Sequence, residues 1–481
     1  MLTIDWKPVR HTPLPLYRQI YLYIQGKIQS GQWTAGTRLP PQRLLAEKLA
    51  VNRSTLLLAL DELTADGYIS SRQGSGITVS GSAWSELAAA SRSWNERLST
   101  DAFLSNQPMI QQINELEFSP QMIRLGTGEL APELFPNSML KQLIAQTAPK
   151  IDSFGYQEPQ GLLPLREQIS LHLKTHGITA APSSILIVSG ALQALQLICF
   201  GLLAPKDAMF VERPSYLLSL KLFRSLQLHF SELPIAADGL SLSDLQAQQK
   251  AHRHALLYTI PTFHNPTSAL MPLEKRIQLM HLCQKERLPI IEDDVYRDLW
   301  LDTEPPLPLK ALDDSGLVLY VSSLSKTMGP GLRIGWVAGP EPIIRRLADL
   351  KMQHDYGSSI LSQWVAAEWL RRDLETSHLQ NLRQELRRRR SFMLKYLEEN
   401  FSSLAEWNIP AGGFYIWIKL NRPLSMPALF QAACKKNILL NPGTIYDQTS
   451  NQYLRLSYAY ASPEEMHYGL HELSKLIAKG S

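Results

Sequence analysis

No other pattern in this 481-residue sequence narrows the choice of fold as far as its short apolar runs, which alternate with helical stretches. After residue 123 the runs read ILIVSG, AMFVERPSY, ALLYTIPTF, LPIIEDDVY, GLVLYVSS and GWVAGP, and stretches such as ALQALQLICFGLL lie between them. Strands that alternate with helices are typical of an α/β domain with a largely parallel sheet. Ligands of such sheets bind at the carboxyl ends of the strands, so the residues after each run are candidates for a site.

Four of these run ends carry residues with suggestive chemistry. They are Ser189-Gly190-Ala191-Leu192 at the start of a helix, Tyr216, Asp293 with Tyr296, and Lys326 with Ser323 and Arg333. The free N–H groups of a helix start can bind phosphate, and a tyrosine ring can stack on a ligand. Taken singly, the glycine turn is more often only a turn, and the tyrosine is more often part of a core.

Together these residues match the chemical needs of pyridoxal phosphate (PLP). The amine of Lys326 can form a Schiff base with the cofactor aldehyde, and Asp293 can keep the pyridine nitrogen protonated so that the ring accepts electrons. Ser323 and Arg333 supply a hydroxyl and a positive charge to the phosphate. The alternative, a chance loop lysine at position 326, requires all these spacings to coincide.

The excess positive charge of the chain lies in its first sixth. Residues 1–80 hold nine Lys and Arg against five Asp and Glu, and the remainder holds 39 of each sign. A basic N-terminal segment ahead of a neutral domain indicates a nucleic-acid-binding module. The length also favours two or three domains.

The pattern of residues 15–80 predicts a winged helix-turn-helix. A first amphipathic helix is expected over 15–30, followed by a helix near 41–49, a tight turn at 51–52 and a second motif helix near 53–66. Two short helices joined by such a turn are the helix-turn-helix pattern. The segment YISSRQGSGITVS then alternates as a two-stranded hairpin would. The alternative is a small helical dimerisation module, which Arg53-Ser54-Thr55 at the start of the second motif helix disfavours.

The stretch RLPPQRLLAEKLAVNRSTL, with GYISSRQGSGITV after it, resembles the winged helix-turn-helix domain of the GntR family. The resemblance implies a DNA-binding domain over 13–81, whose Arg43 contacts phosphate or base and whose Arg53, Ser54 and Thr55 read the major groove. It also implies that Gln73 and Gly74, at the wing tip, reach the minor groove. The position that often carries a second arginine in the family is Leu57, so base readout from it is not expected.

Residues 82–122 are predicted to be an interdomain linker. SAWSELAAASRSWNERL has helical character, whereas SNQPMIQQINELEFSP is polar and is predicted to be irregular. Three widely spaced cysteines argue against a disulfide framework, and the most apolar window, 185–204, is broken by polar residues. These features, with an N-terminus that lacks an apolar signal core, predict a cytoplasmic protein without a membrane span. The histidines show no metal-ligand spacing with acids, so no metal site is expected.

Residues 123–478 resemble the fold-type I aminotransferases. SLSKTMGPGLRIGW is similar to their cofactor-lysine segment, HNPTS to their Asn-Pro-Thr-Gly motif, and YLRLSYA to the segment that binds a substrate carboxylate. The expected fold is therefore a mainly parallel α/β domain with a smaller C-terminal α+β subdomain. Ser268 replaces the usual glycine of the Asn-Pro motif, and Leu192 replaces a polar residue in the phosphate turn.

The same resemblance implies a role for each matching residue. On the cofactor side these are Lys326 for the Schiff base, Asp293 rather than Asp294 at the pyridine nitrogen, Asn265 with Tyr296 at the 3′-oxygen, Tyr216 for ring stacking, Gly190, Ala191, Leu192, Ser323 and Arg333 at the phosphate, and Tyr156 lent to the phosphate of the partner subunit. On the effector side they are Arg455, which binds an α-carboxylate, and Gly128.

A GntR-type winged helix ahead of an aminotransferase-like domain is similar to the MocR subfamily of bacterial transcription regulators. The resemblance implies a homodimer, usually head-to-tail, that binds operator DNA and senses an amino compound or PLP itself. It would act in the cytoplasm, associated with the nucleoid when bound to DNA. The alternatives are an active aminotransferase that carries a DNA-binding domain, and a regulator that has lost the cofactor, which the filled cofactor positions disfavour.

Overall fold

The computed structural model describes residues 4, 6–10, 14–29, 32–34, 36–72, 76–80, 106–220, 223, 225–252 and 254–480. Within these, residues up to 122 group with 423–439 and 475–480 as a smaller unit. Residues 123–422 and 440–474 form a larger unit.

The helices of the described residues are α1 (Leu16–Gln29), α2 (Gln42–Lys48), α3 (Arg53–Ala65), α4 (Pro108–Leu116), α5 (Asn137–Thr147), α6 (Leu163–Thr175), α7 (Ala191–Leu202), α8 (Leu242–Gln249), α9 (Leu273–Glu286), α10 (Glu341–His354), α11 (Ile360–Arg371), α12 (Leu374–Phe401), α13 (Met426–Cys434) and α14 (Pro463–Lys479). The strands are β1 (Ile69–Arg72), β2 (Gly76–Val79), β3 (Ile123–Arg124), β4 (Ile185–Val188), β5 (Ala208–Arg213), β6 (His229–Ala236), β7 (Gly239–Leu240), β8 (Ala255–Thr259), β9 (Ile290–Asp293), β10 (Val318–Ser323), β11 (Gly335–Ala338), β12 (Ala405–Trp407), β13 (Tyr415–Leu420), β14 (Ile438–Leu439), β15 (Asn441–Pro442) and β16 (Tyr453–Ser457). None of these helices is long and apolar enough to cross a membrane.

The smaller unit contains the predicted winged helix-turn-helix. Helices α1, α2 and α3 surround an apolar core that includes Ile24, Leu45 and Leu60, and β1 pairs with β2 as an antiparallel hairpin. Asn52 caps α3, because its side chain accepts a hydrogen bond of 2.8 Å from the backbone N–H of Thr55. The predicted helices and hairpin are confirmed, with ends within a few residues of those expected.

The predicted irregular stretch at 105–120 is wrong in part, because residues 108–116 form helix α4. Pro108 begins the helix at a position that needs no N–H donor, and Met109 and Ile113, four residues apart, bury one face. The rest of the predicted linker, up to residue 105, lies outside the described residues.

A mixed sheet forms the centre of the larger unit. Its eight strands among the described residues run in the order β4-β11-β10-β9-β8-β5-β6-β7. The pairs among β5, β6, β8, β9 and β10 are parallel, whereas β11 and β7 pair antiparallel with their neighbours. The prediction of a largely parallel sheet is confirmed.

Helices cover both faces of this sheet, which explains why its strands are continuous apolar runs. Along β4 the side chains alternate between two cores: Leu186 and Val188 pack with α7 and α10, and Ile185 and Ile187 pack with α6 and α11. A second, antiparallel sheet with the order β12-β13-β16-β15 belongs to the C-terminal part of the chain.

Candidate functional site

The ends of β4, β5, β9 and β10 bring together residues from distant parts of the larger unit. Ser189 follows β4, Tyr216 follows β5 by three residues, Asp293 ends β9 and Lys326 follows β10 by three. Residues of the second sheet, on β13 and β16, complete the cluster. Most of the predicted cofactor and effector residues therefore lie in one region of the larger unit.

Lys326 lies in a short 3₁₀ turn over residues 324–326, directly after β10. Its Nζ donates a hydrogen bond of 2.6 Å to the carbonyl oxygen of Gly128 and lies 5.9 Å from the ring centres of both Tyr296 and Phe414. No carboxylate among the described residues forms an ion pair with it. The amine is thus held by one backbone carbonyl between two aromatic rings, in contact with the predicted effector residue Gly128.

Asp293 is fully buried at the end of β9. Its Oδ2 accepts a hydrogen bond of 2.8 Å from the hydroxyl of Tyr258, whereas its Oδ1 has no hydrogen-bond partner among the described residues. Burial raises the pKa of the Asp293 carboxyl to about 6, although the Tyr258 hydrogen bond opposes this shift. A buried carboxylate oxygen without a partner is unfavourable, and a bound cationic N–H group would satisfy it.

Asp294, the neighbouring acid, has an internal partner instead. Its Oδ2 pairs with the Arg297 guanidinium and accepts a hydrogen bond of 3.2 Å from Tyr320. Burial acts to raise the pKa of Asp294, but the cationic Arg297 and Arg276 outweigh it and hold this pKa below its usual value. Oδ1 of each acid lacks a hydrogen-bond partner among the described residues, but the two acids differ in charge balance, because Asp294 is paired with a guanidinium and Asp293 has no ion-pair partner there.

Asn265 connects the cofactor and effector sides of the cluster. Its Oδ1 accepts a hydrogen bond of 2.8 Å from Arg455 Nη1, and its Nδ2 lies 3.5 Å from the hydroxyl of Tyr296. The Arg455 guanidinium also donates to the carbonyl of Gly126 at 2.6 Å and lies 4.1 Å from the ring centre of Tyr415. Tyr415, which the sequence analysis did not single out, also lies 3.1 Å from the Tyr296 hydroxyl, oxygen to oxygen.

In the turn between β4 and α7, the backbone of Gly190 is in close contact with Arg333 and Gly335. Gly190 has φ of +85°, and a Cβ there would collide with the guanidinium of Arg333. A Cβ on Gly335 would lie 2.9 Å from the backbone of Gly190. Arg333 is itself left-handed, with φ of +54°, and its Nη2 donates to the Ser189 carbonyl at 2.6 Å. An arginine therefore lies against the turn that leads into the N-terminus of the 12-residue helix α7, which begins at Ala191.

The remaining predicted cofactor residues differ in how they are placed. Ser323 donates its single hydroxyl proton to the carbonyl of Ile334 at 2.8 Å, and its Oγ lies 2.8 Å from Ser325 Oγ, which can donate in return, so the Ser323 proton is already engaged. Tyr216 is half-buried beside the site, and its N–H donates to the Asn265 carbonyl at 3.1 Å. Burial and the nearby Asp293 raise the pKa of Tyr216 to about 12.

Tyr156 lies outside the cluster, and no contact among the described residues joins it to the cluster. Its side chain is 84% exposed, and its ring lies 5.0 Å from the exposed ring of Tyr356. The structure therefore shows Tyr156 as a surface residue of the larger unit.

The residues of the cluster fit PLP chemically. The open Asp293 oxygen suits a protonated pyridine nitrogen, and the helix start at Gly190, with Arg333 beside it, suits a phosphate. Lys326 supplies an amine without a carboxylate partner among the described residues.

The candidate DNA-contacting residues lie in the smaller unit. Arg43 on α2 is exposed, as are Arg53 and Ser54 in the first turn of α3, while Thr55 and Leu57 are half-buried. Within the part of the chain that the structure describes, Arg53 makes one side-chain hydrogen bond, of 3.5 Å to Gln42 Oε1, and its exposed guanidinium lies at the start of α3. Gln73 and Gly74, predicted for the wing tip, lie outside the described residues.

Helix α3 also contacts a segment from far along the chain. In the smaller unit, Gln431 on α13 donates one hydrogen bond of 3.2 Å to the carbonyl of Ala65, the last residue of α3. It donates a second, of 2.9 Å, to Gln112 Oε1 on α4. The sequence analysis assigned residues 423–439 to the C-terminal domain and did not foresee this contact.

Comparison with family models gives two matches. Residues 120–473 match the model of aminotransferase class I and II, and residues 16–79 match that of the gntR family of bacterial regulatory proteins.

Two relatives extend the similarity over nearly the whole chain. The HTH-type transcriptional regulator YdfD of Bacillus subtilis (strain 168) is 46% identical over 96% of this chain and 96% of its own length. The HTH-type transcriptional regulator NorG of Staphylococcus aureus (strain N315) is 34% identical over 92% of this chain and 100% of its own.

Solved aminotransferases share the fold of the larger part of the chain. A kynurenine aminotransferase of Pyrococcus horikoshii, solved in complex with PMP, aligns with a TM-score of 0.74 at 28% identity, covering 78% of this chain and 95% of the enzyme. The multiple substrate aminotransferase of Thermococcus profundus aligns with a TM-score of 0.73 at 27% identity, covering 77% and 94%.

Proposed function

The chain belongs to the family of HTH-type transcriptional regulators that join a gntR-family domain to an aminotransferase class I and II domain, and on this basis we propose that it binds operator DNA and controls transcription in response to an amino compound or to PLP. The observation that carries the regulatory part is the contact between α3 and α13. Helix α13 lies inside the aminotransferase match, yet it belongs to the same compact unit as the DNA-binding helices.

DNA binding is assigned to the start of α3, with support from α2 and the wing. The first turn of α3 presents Arg53, Ser54 and Thr55, and the capped helix N-terminus favours a phosphate of the DNA backbone. Arg43 would contact phosphate or base beside it, and the wing-tip Gln73 and Gly74 would enter the minor groove. Because Leu57 carries no polar group, base readout depends on the first turn of the helix.

PLP is the proposed cofactor, bound covalently at Lys326, and it would supply an electron-accepting ring to any amine that replaces the lysine. Residues around Lys326 would position this cofactor. Asp293 offers its open oxygen to the ring nitrogen, and Tyr258 holds the carboxylate in that orientation. Tyr216 would stack on the ring, and Asn265 with Tyr296 would meet its 3′-oxygen.

The phosphate would be held by the turn after β4. Gly190, Ala191 and Leu192 offer backbone N–H groups at the start of α7, so the apolar side chain of Leu192 is no obstacle. Arg333 adds a positive charge, and Ser323 adds a hydroxyl if it releases the Ile334 carbonyl. We further propose that the exposed Tyr156 of each chain reaches the phosphate of a partner subunit in a head-to-tail homodimer.

The effector is proposed to bind through its carboxylate at Arg455, beside Gly128. Arg455 at present donates to Asn265, and Lys326 donates to Gly128. A bound carboxylate would compete for the N–H donors of Arg455 and so weaken the hydrogen bond from Arg455 to Asn265. Because Asn265 also contacts Tyr296, effector binding changes contacts on the cofactor side.

For regulation, effector binding must then change the affinity of the protein for DNA. A ligand shifts an equilibrium only by its differential affinity for two states, and couplings of about 1–3 kcal/mol change affinity roughly 5- to 150-fold. Gln431 lies within the aminotransferase-like part of the sequence, and its two hydrogen bonds join α13 directly to α3 and α4. We propose that these hydrogen bonds differ between the effector-free and effector-bound states. The protein would work in the cytoplasm, where the operator lies.

Active transamination is the second candidate function, supported by the proposed cofactor residues near Lys326, among which the exposed Tyr156 is the exception. One experiment distinguishes the two. The full-length protein with PLP is titrated with amino acids and amines while cofactor absorbance, keto-acid product and affinity for DNA from upstream of its own gene are recorded. We expect an effector that changes both absorbance and DNA affinity with little product. Sustained conversion at about 1 per second or faster, with DNA affinity unchanged, would favour the enzyme.

A further inference from the structure

We propose that His172, His176 and Asp298, in the larger unit, form a binding site for a divalent transition metal, with Zn²⁺ as its natural occupant. The side-chain ligand atoms of these three residues all lie within 4.8 Å of one another. This inference is independent of the proposed regulatory function, because it concerns side chains other than those assigned to DNA, cofactor or effector.

The two histidines are four residues apart at the C-terminal end of α6. His172 lies in the last turn of this helix and His176 caps it, so their rings lie on one face, with centres 4.9 Å apart. Histidine pairs with this spacing on a helix are a recurring arrangement for metal binding. Asp298 comes from the 3₁₀ turn over residues 297–299, more than 120 residues later in the chain. The sequence analysis, which expected no metal site, did not single out this pair, because no acid lies near it at ligand spacing in the sequence.

The distance between His176 Nε2 and Asp298 Oδ1 supports a shared ion. It is 3.5 Å, and Nε2 is buried without a hydrogen-bond partner among the described residues. In a tetrahedral zinc site, bonds of about 2.0–2.2 Å place two ligand atoms roughly 3.4 Å apart. The two atoms thus lie at the separation that a common metal ion imposes, and they are too poorly aligned for a hydrogen bond.

Glu375, in the first turn of α12, contacts the ring nitrogen of His172 that would not bind the metal. Its Oε2 lies 3.2 Å from Nδ1 of His172, which assigns that nitrogen the proton and leaves Nε2 as the coordinating atom. Metal-bound histidines regularly donate their other N–H to a carboxylate in this way, and the carboxylate raises the basicity of the ligand. His378, a few residues further along α12, is already engaged, since its Nε2 lies 2.8 Å from the Thr327 carbonyl oxygen.

The donor set selects the metal. Two imidazoles and one carboxylate, without a thiolate, suit Zn²⁺ and related borderline ions rather than Cu(I), Ca²⁺ or Mg²⁺. The side chains of His172 and His176 are each only 12% exposed, and that of Asp298 is 22% exposed, so a bound ion would be largely enclosed, with water as its fourth ligand. The ion would join the end of α6 to the turn that directly follows Tyr296.

The test uses the full-length protein, stripped with a chelator and titrated with Co²⁺ and then Zn²⁺. We expect one Co²⁺ per chain with the visible absorption of a four-coordinate site, and its displacement by one Zn²⁺. His176→Gln and Asp298→Asn should each abolish these bands. Glu375→Gln should weaken binding about 10- to 100-fold, because it removes only the carboxylate behind His172.

A matched control is available on α14, where His467 and His471 are also four residues apart but exposed and without a carboxylate in such a group. The double variant His467→Gln with His471→Gln should retain the four-coordinate bands. Circular dichroism of every variant establishes that it is folded. The proposal is overturned if folded His176→Gln binds Co²⁺ as the unaltered protein does, or if the unaltered protein binds none in a four-coordinate form.

Discussion

The hydroxyl of Tyr258 donates a hydrogen bond of 2.8 Å to Asp293 Oδ2 inside the central sheet, and both side chains are buried. The bond occupies one carboxylate oxygen and leaves the other, Oδ1, without a partner among the described residues. We therefore expect Tyr258 to act as a positioning residue that orients the acid.

Replacing Asp293 by Asn should weaken PLP binding about 10- to 150-fold. The substitution keeps the shape but removes the charge, and hydrogen bonds to charged groups contribute about 1.5–3 kcal/mol. Titration of the cofactor-free protein with PLP, followed by absorbance, measures the change.

Asp294→Asn serves as the control for this experiment. It should lower stability by about 3–5 kcal/mol, because Arg297 loses its buried partner, while PLP affinity changes less. An Asp294 variant that lost more PLP affinity than the Asp293 variant would refute the assignment of the two acids.

The sequence identifies Asp293 but not Tyr258, and the reason is geometric. Asp293 lies in the acidic group Glu292-Asp293-Asp294 at the end of an apolar run, whereas Tyr258 lies within the run ALLYT and has the pattern of a core residue. Only the parallel pairing of β8 with β9, which sets Tyr258 opposite Ile291, brings its hydroxyl to Asp293. Local patterns predict the elements and their order along the chain, but which strands become neighbours depends on the packing of the whole sheet.

Arg455→Ala should abolish the response to a carboxylate effector and leave DNA affinity in the absence of effector unchanged. The guanidinium is the only proposed anchor for the carboxylate, and its loss should weaken effector binding at least tenfold. Arg455→Lys should recover part of the affinity, because it restores the charge but not the paired donors. An unchanged effector midpoint in the Ala variant, measured by absorbance, would exclude this role.

Arg53→Ala should cost about 1–3 kcal/mol of operator affinity and relax sequence preference if Arg53 reads a base. Fluorescence anisotropy with operator and scrambled DNA, at several salt concentrations, measures both effects. Lys48→Ala, which removes the same charge at the end of α2, should weaken binding to the two DNAs alike. If Arg53→Ala also lowers both affinities equally, the residue contacts only phosphate.

Gln431→Ala should reduce the effect of the effector on DNA binding while effector affinity is retained. The variant removes both hydrogen bonds that join α13 to α3 and α4. The ratio of operator affinities with and without effector is the measurement, and we expect it to move towards 1. Lys435→Ala, an exposed change at the end of the same helix, should leave the ratio as it is. A ratio that Gln431→Ala does not alter would rule out this route of coupling.

Asp66 should make the stability of the DNA-binding helices depend on pH. Burial raises the pKa of its carboxyl from 3.8 to about 6, against the opposing effects of the Tyr21 hydrogen bond and Arg18. The folded state therefore binds the proton more tightly than the unfolded state. The resulting stability is complete below about pH 3.8 and is lost as the pH rises through about 6.

Asp66→Asn removes this titration but can still accept the Tyr21 hydrogen bond. Relative to the unaltered protein, the variant should gain stability between pH 5 and pH 7.5, as calorimetry of the full-length protein at both values would show. A stability difference that stays constant over this range would mean that Asp66 titrates near its ordinary pKa.

The contact between α3 and α13 marks another limit of sequence analysis. The winged helix-turn-helix follows from local patterns, because caps, turns and the hairpin each involve residues close together in the chain. The contact of Gln431 with Ala65 joins residues 366 positions apart through one side-chain amide and one backbone carbonyl. No composition or periodicity encodes such a pairing, so the division into compact units could not be predicted.

Gly190, Gly335 and Arg333 pack so closely against one another that none of them can be substituted in evolution without affecting the others. A methyl group on either glycine would displace the other's backbone or the guanidinium. As long as the turn has to bind an anion, a lineage must inherit the three positions as a set. Once that need disappears, Arg333 can change, and a side chain at position 190 then meets only the strain of its positive φ. A descendant with a side chain at the position of Gly190 would therefore mark a regulator that has kept the fold of an aminotransferase and abandoned its cofactor.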